Sequence, residues 1–535
     1  MAATVRGEQQ LGVEASALPH AVAVGATVQA GRALRIWEAY GLVFLASSCS
    51  LVLEILAGRI LAPYLGVSLY TWTSIIGVIL AGITFGNYLG GLLADRMASR
   101  ALLRRIFLYS ALTVVATVVL APAAADRIAS APIPLMLRIV LATAAAFLLP
   151  STILGTITPI VVKLSLRSLD DAGATIGRIY AVSAAGSIAG TFLTGFLLLD
   201  LFGSRTTVWL IAAILLICGL AVGPWGGPRA GRGLPLMILV LFLAVSPLLV
   251  ATKALPGPCL TETSYFCMRI ETTKTLDGRT ARGFFLDRLM HSALVDGDPS
   301  ALVYDYERVY RALTEEQLAR DPALRLLVIG AGGYSFPRYM TAYHPAATVE
   351  TLEIDPGVVR FNQRYLGLPT ASPIITHIGD ARLFLNGTEA GSAAPQGAYR
   401  VVQGDAFNDV SVPYHLTTRE FDMLVHRSMT PDGVYLVNMV DSGHEGRFVQ
   451  AYTNTLRVVF GNVMVYALDG QVGRPGHATF VIAASDAPLA TPTVSGWTPF
   501  APADLAARFA SRTDLILTDD HAPVDTLLRA ALDER

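Results

Sequence analysis

The sequence predicts a multi-pass α-helical membrane domain followed by a soluble α/β domain, and three observations carry that expectation. Only 15% of the 535 residues are charged while 53% are hydrophobic, and mean hydropathy is +0.51; a soluble chain carries roughly 25% charged residues. The apolar residues concentrate between Ala39 and Thr252, in long runs separated by short polar joints. After Lys253 the composition becomes that of a soluble domain, with short apolar runs alternating with amphipathic helical patterns. A wholly soluble enzyme, a disulfide-dense scaffold and a disordered chain are thereby excluded. The net charge of −1 argues against a nucleic-acid partner.

Residues 1–37 read as a loose polar tail, since no apolar run follows a basic start as a signal peptide requires. Residues 38–253 form the membrane domain, 254–322 a β-hairpin region and a helix, and 323–535 the α/β domain. A bilayer core takes about 20 apolar helical residues. On that ruler about seven spans fit, near 39–61, 72–94, 106–125, 135–163, 179–201, 206–223 and 234–252. The fourth is overlong and holds Pro150 and Pro159, so a kink is expected there.

Short-loop Lys and Arg set orientation. Arg96, Arg100, Arg104, Arg105, Lys163, Arg167, Arg178, Arg229 and Arg232 fall on the side of the N-terminus, and the opposite joints hold fewer. This predicts a multi-pass protein of the cell membrane with a cytoplasmic N-terminus and the C-terminal domain outside. The joint Gly91-Leu-Leu-Ala-Asp95-Arg96-Met-Ala-Ser-Arg100 resembles a cytoplasmic loop signature of the major facilitator superfamily. Glu54 lies inside the first span, where a charge costs about 2.5–3.5 kcal/mol. It either meets a cationic ligand or proton, or pairs structurally, with Arg59 as a neighbour. Gly82, Gly86, Gly90 and Gly91, with Gly186 and Gly190, are expected at helix-packing faces.

In the soluble part, Tyr265–Thr272 and Arg282–Leu286 flank the turn pair Asp277-Gly278, which predicts a hairpin. A helix follows near Tyr306–Ala319. The run Leu324-Arg-Leu-Leu-Val-Ile enters a turn of Gly330, Ala331, Gly332 and Gly333, and a second strand ends at Glu353. A glycine turn with an acid some twenty residues on suits a nucleoside: glycines admit its backbone approach, and the carboxylate accepts from ribose hydroxyls. Strands are expected at Ile374–Ile378, Tyr399–Gln403, Gly433–Asn438, Asn462–Tyr466 and Thr479–Ala484, the last two antiparallel. This order looks like the Rossmann-like fold of S-adenosylmethionine-dependent transferases.

The runs Glu353-Ile-Asp355-Pro356, Gly379-Asp380-Ala381-Arg382-Leu383-Phe384-Leu385 and Asp405-Ala-Phe-Asn-Asp409 together resemble a spermidine synthase domain. Leu286-Asp287, His291-Ser292, Asp305-Tyr306-Glu307-Arg308 and Leu517-Thr518-Asp519-Asp520-His-Ala522-Pro523-Val524 are similar to motifs of its membrane-fused relatives. The resemblance implies transfer of an aminopropyl group from decarboxylated S-adenosylmethionine to a polyamine or related amine. It implies Gly330, Gly332, Gly333, Glu353, Asp380 and Ala381 at the adenosyl donor, with Glu353 on the ribose and Asp380 on the adenine amino group. It implies Asp405 as catalytic acid–base residue with Asp409 as helper, and His291, Tyr306, Asp519 and Asp520 near the acceptor.

This chain also departs from the pattern. Asn408 stands where a second acid is usual, the glycine turn lacks an acid, and His291 and Tyr306 replace a glutamine and a histidine. Asp519 and Asp520 also suit a cap for the helix after Pro523. A methyltransferase using S-adenosylmethionine, and a polyamine or small-molecule transporter with a ligand-sensing domain, therefore stay open beside aminopropyl transfer. No Cys/His grouping has zinc spacing, so no metal is expected. Cys49 and Cys218 read as packing residues; Cys259 and Cys267 can form a disulfide if their domain lies outside. The expected partners are a small amine and the lipid bilayer, and the architecture leaves self-association open.

Overall fold

A computed structural model describes residues 34–129, 131–168, 170–222, 257–275, 278–298, 300–388, 394–406 and 412–533. Five helical runs among them are long and apolar enough to cross a membrane: α1 (Ile36–Leu65), α2 (Leu69–Met97), α3 (Arg100–Ala129), α4 (Leu135–Ser165) and α5 (Ala172–Val222). The expected spans at 179–201 and 206–223 are the two arms of α5, which breaks at Gly203, where φ is +70°. Only glycine reaches that backbone conformation without cost. The expected span at 234–252 lies outside the described residues.

The overlong fourth run is irregular where its prolines fall. A π-helical turn, Ala144–Leu148, precedes Pro150, and the helix is interrupted at Thr156, ahead of Pro159. Each proline removes one N–H from the ladder, and the looser turn absorbs the missing bond. Packing in the bundle runs through glycine. A Cβ on Gly86 would lie 2.1 Å from the Thr152 carbonyl oxygen of α4, and one on Gly186 2.3 Å from that of Phe44 in α1. Gly91 differs from the other expected packing glycines, having nothing within 4 Å of a built Cβ.

The α/β part opens with an antiparallel meander of β1 (Thr261–Glu262), β2 (Cys267–Lys274), β3 (Thr280–Leu286) and β4 (Leu289–Val295). Helix α6 (Asp305–Leu318) leads into an eight-stranded sheet of order β12-β10-β11-β9-β8-β5-β6-β7. Its strands are β5 (Arg325–Ile329), β6 (Thr348–Glu353), β7 (Ile375–Ile378), β8 (Tyr399–Gly404), β9 (Met429–Ser442), β10 (Asn462–Leu468), β11 (His477–Ser485) and β12 (Trp497–Phe500). Strands β5 to β9 are parallel, and β10 pairs antiparallel with β11 and β12. Strand β9 is far longer than the Gly433–Asn438 expected, because it pairs on both sides and its apolar run continues past Asn438.

Both faces of the sheet are covered. Leu327, Ile329, Val402 and Val437 pack under α10 (Arg419–Ser428) and α11 (Arg447–Val459). Leu326, Val328, Val401 and Leu436 pack under α6 and α7 (Ser335–Tyr343). Alternate residues of one strand feeding opposite cores require continuous apolar runs, which is how these strands read.

Candidate active site

Sheet register builds the site. Ile329 of β5 pairs with Leu352 of β6 on one side and with Gly404 of β8 on the other. The next residue of each strand therefore emerges at one level: Gly330, Glu353 and Asp405. The strand order reverses about β5, where β6 lies on one side and β8 on the other, and open α/β sheets bind ligands at such a crevice. Gly330 has φ +98°, and a Cβ there would sit 2.4 Å from the Asp405 carbonyl oxygen, so backbone conformation and space both demand glycine.

Two adjoining cavities share Gly330, His291 and Asp405. The first, about 250 Å³, is lined by Glu353, Asp380, Ala381 and His415, with Phe266, Leu352 and Leu416 as apolar walls. Glu353 accepts from the Ala331 N–H at 3.0 Å and the Asp355 N–H at 2.9 Å. Burial raises its carboxyl to about 7 against those bonds. Each oxygen keeps a lone pair for a further donor. Asp380 caps α9 (Ala381–Leu385) through Arg382 N–H at 2.9 Å and Leu383 N–H at 3.1 Å, and meets His415 Nε2 at 2.9 Å. The His415 bond leads the effects that lower its pKa.

The second cavity, about 210 Å³, is lined by Tyr306, Glu307, Tyr310, Gln403 and Asn438. Asp405 links the two: its Oδ2 accepts from Tyr306 Oη at 2.7 Å and its Oδ1 from Asn438 Nδ2 at 3.1 Å. Burial raises Asp405 to about 6 despite these two bonds. Burial also raises Glu307 to about 7, although Ser335 Oγ and the Tyr304 N–H both donate to it. His291 Nε2, Asn438 Oδ1 and both side-chain polar atoms of Gln403 are buried without a partner among the described residues. Burial lowers His291 to about 4, leaving a neutral imidazole. Buried polar atoms left unpaired cost about 1–3 kcal/mol each, so a cavity that collects four of them is shaped for a polar guest.

Gly332 lines the second cavity, whereas Gly333 lies under the meander and outside both linings. The Gly333 N–H donates to Ser292 Oγ at 2.7 Å, and Asn362 Nδ2 donates to the Gly332 carbonyl at 2.9 Å. Asp519 and Asp520 are outside both linings. Asp519 forms a two-pronged ion pair with Arg382 and accepts from Thr418 Oγ1 at 2.7 Å, and the cap position of the short helix Val524–Leu527 is Pro523 rather than an aspartate. Asp409 lies outside the described residues. Glu54 has no side-chain partner among the described residues, and Arg59 turns away from it toward Glu262, Thr263 and Tyr265 of the α/β domain.

Glu307, Gln403 and Asn438 were not expected as site residues. Gln403 follows Val401 and Val402, and Asn438 stands between Val437 and Met439, and a polar residue inside such an apolar stretch is the signal that could have found them.

No protein-family model matches the chain. It is 28% identical over 245 residues to a probable polyamine aminopropyl transferase of Bifidobacterium longum, covering 42% of this chain and 53% of that one. It is 27% identical over 188 residues to an eEF1A lysine and N-terminal methyltransferase of Bos taurus, covering 34% of this chain and 26% of the relative. Among solved structures, a probable spermidine synthase from Corynebacterium glutamicum aligns with TM-score 0.40 at 19% identity, over 47% of this chain and 93% of that one. The chain spans about half the length of the aminopropyltransferase relative. The chain is thus similar over part of its length to polyamine aminopropyltransferases, and its α/β domain is joined to a bundle of membrane-length apolar helices.

Proposed function

We infer that the chain is a membrane-bound alkyltransferase that moves an aminopropyl group from decarboxylated S-adenosylmethionine to a small amine. The observation that carries this reading is the register that sets Gly330, Glu353 and Asp405 on one sheet edge between two adjoining cavities. The first cavity fits an adenosyl group: Glu353 would hold the ribose, Asp380 the adenine amino group, and Phe266, Leu352 and Leu416 the base. When bound, a sulfonium donor supplies a carbon activated toward an amine. Asp405 faces both cavities and would orient the acceptor amine and take its proton, with Tyr306 and Asn438 fixing both carboxylate oxygens. Gln403, Glu307 and His291 complete the acceptor cavity, and two carboxylates there suit a cationic guest. Asp409 would assist Asp405, as the resemblance implies.

The test is calorimetry of the purified protein with decarboxylated against intact S-adenosylmethionine, followed by single-turnover assays with a panel of diamines. Binding of the decarboxylated donor with transfer to an amine supports the reading. Preference for intact S-adenosylmethionine with methyl transfer would replace it by the methyltransferase reading, which the eEF1A methyltransferase relative favours. Binding without transfer to any amine would instead fit a sensing domain.

For the membrane part we infer a protein of the cell membrane with a cytoplasmic N-terminus and the α/β domain outside. The α/β domain rests on the sparsely basic end of the bundle: Leu69 N–H donates to Asp525 at 2.9 Å and Leu135 N–H to Asp533 at 3.1 Å. The Cys259–Cys267 disulfide supports an oxidising side. An outward domain draws its donor from outside the cytoplasm. Reporter fusions at Arg535, active on one side only, decide the orientation; a cytoplasmic signal overturns it.

A further inference from the structure

Within that reading of the first cavity as the donor site, we propose that Arg59, a residue of the membrane-type bundle, is a positioning residue for donor binding. Its guanidinium holds the turn that roofs the cavity. Arg59 sits near the end of α1 with its side chain only 10% exposed. It donates from Nη1 to the Tyr265 carbonyl at 2.5 Å and from Nη2 to the Thr263 carbonyl at 2.7 Å. Glu262 lies 4.0 Å from Nη2. A planar fork on two carbonyls of one turn sets its shape as a single ammonium cannot.

The turn passes this restraint inward. Thr263 Oγ1 accepts from the Tyr265 N–H at 3.2 Å and the Phe266 N–H at 3.0 Å, and donates to Asp355 Oδ2 at 2.6 Å. The Asp355 N–H donates to Glu353, which receives Ala331 of the glycine turn on its other oxygen. A continuous chain of hydrogen bonds thus runs from a bundle helix to the carboxylate assigned to the ribose. Tyr265 and Phe266 themselves line the donor cavity. Further bonds tie the same turn to the bundle: Glu262 accepts from the Ser204 N–H at 3.1 Å, and Ser264 Oγ donates to Asp200 at 2.6 Å. The Cys259–Cys267 disulfide closes the loop that carries it. Gly357 admits the contact with α8 (Pro356–Tyr365), since a Cβ there would lie 2.3 Å from Thr263 Cγ2. An anchor that merely joined two domains would need none of these links into the cavity.

The test uses the full chain in lipid nanodiscs, titrated with decarboxylated S-adenosylmethionine. Arg59→Met should weaken donor binding by about tenfold or more, the loss expected for charge-assisted bonds. Turnover at saturating donor should stay within about twofold, because the reacting groups are untouched. Arg59→Lys should recover only part of the affinity. Lys163→Met, which removes an exposed pair with Asp95 at the other end of the bundle, should bind like the parent. Thr263→Val, which cuts the link to Asp355 but leaves Arg59 in place, should shift affinity in the same direction and serves if Arg59→Met does not fold. Parental affinity in Arg59→Met or in Thr263→Val, or an equal loss in Lys163→Met, overturns the proposal while leaving the donor site standing. A parent chain that binds no adenosyl donor overturns the donor site, and this proposal with it.

Discussion

The helical bundle and the α/β domain are held together by opposite means. In the bundle, glycines bring backbones into contact, as Gly86 meets Thr152 and Gly186 meets Phe44. In the α/β domain, large side chains fill the space between sheet and helices, with Tyr310, Tyr435, Tyr452 and Phe448 fully enclosed. Lipid offers no hydrophobic reward for helix association, so contact itself must supply the energy there. Water does reward burial around a sheet, and that surplus lets the α/β domain enclose Glu307, Glu353 and Asp405 at a cost. The difference teaches where to look for chemistry: the region with stability to spare holds the buried carboxylates.

The sharpest way to break this comparison is to remove one of those charges. Asp405→Asn keeps the shape, so donor binding should survive while turnover falls roughly 10²–10⁴-fold, the usual loss of a general base. In the parent chain turnover should fall with acid near pH 6, where Asp405 takes up its proton, rather than near an ordinary aspartate value. The stability consequence has the opposite direction. A carboxyl whose folded pKa is raised binds its proton more tightly in the folded state, so it destabilises progressively as pH rises from the ordinary aspartate range through about 6. Asp405→Asn should therefore raise the melting temperature of the ligand-free protein at pH 8. Full turnover in the variant, or no stabilisation, would mean the charge is not held at a cost.

Glu353→Ala tests the donor half of the same claim. It removes the proposed ribose acceptor, and bonds to a charged group are worth about 1.5–3 kcal/mol each. Calorimetry should show donor affinity down at least tenfold; unchanged affinity retires the assignment.

The disulfide stands where the two regions meet. Replacing Cys259 and Cys267 together by serine should cost on the order of 2 kcal/mol for so short a loop, visible as a lower denaturation midpoint of the α/β signal. A midpoint equal to the parent's would show that the contacts to the bundle hold the loop without the bridge.

The smallest effect sharpens the bundle side. Gly86→Val forces a side chain into the Thr152 backbone and should destabilise by about 1–3 kcal/mol, whereas Gly91→Val, facing open space, should be close to neutral. Equal behaviour of the two in a thermal-aggregation assay would argue against glycine-mediated packing.

Much of this protein was legible in advance because it is written in local patterns. The long apolar runs marked the bundle helices, and Pro150 and Pro159 marked the irregular fourth one. The glycine turn, the acid at the end of β6 and the acid after β8 marked the sheet edge. Other features depend on distant partners and were not readable. The sequence offers Arg59 as a neighbour of Glu54, five positions away on the same helix, yet its partners stand more than two hundred positions later. Asp519, which the resemblance implies near the acceptor, pairs with Arg382, 137 positions away in the chain.

What the sequence by itself determined is therefore the kind of each element and the order in which the elements come. Hydropathy, period and turn chemistry act over a few residues and are complete within them. What only the tertiary structure decided is which side chains share a cavity, and in what dielectric. Register across β6, β5 and β8 brought Glu353, Gly330 and Asp405 abreast, and the closing of α6 and the meander over them raised the carboxyl pKa values. Burial and pairing are properties of the surroundings, and those surroundings come from segments far apart in the chain.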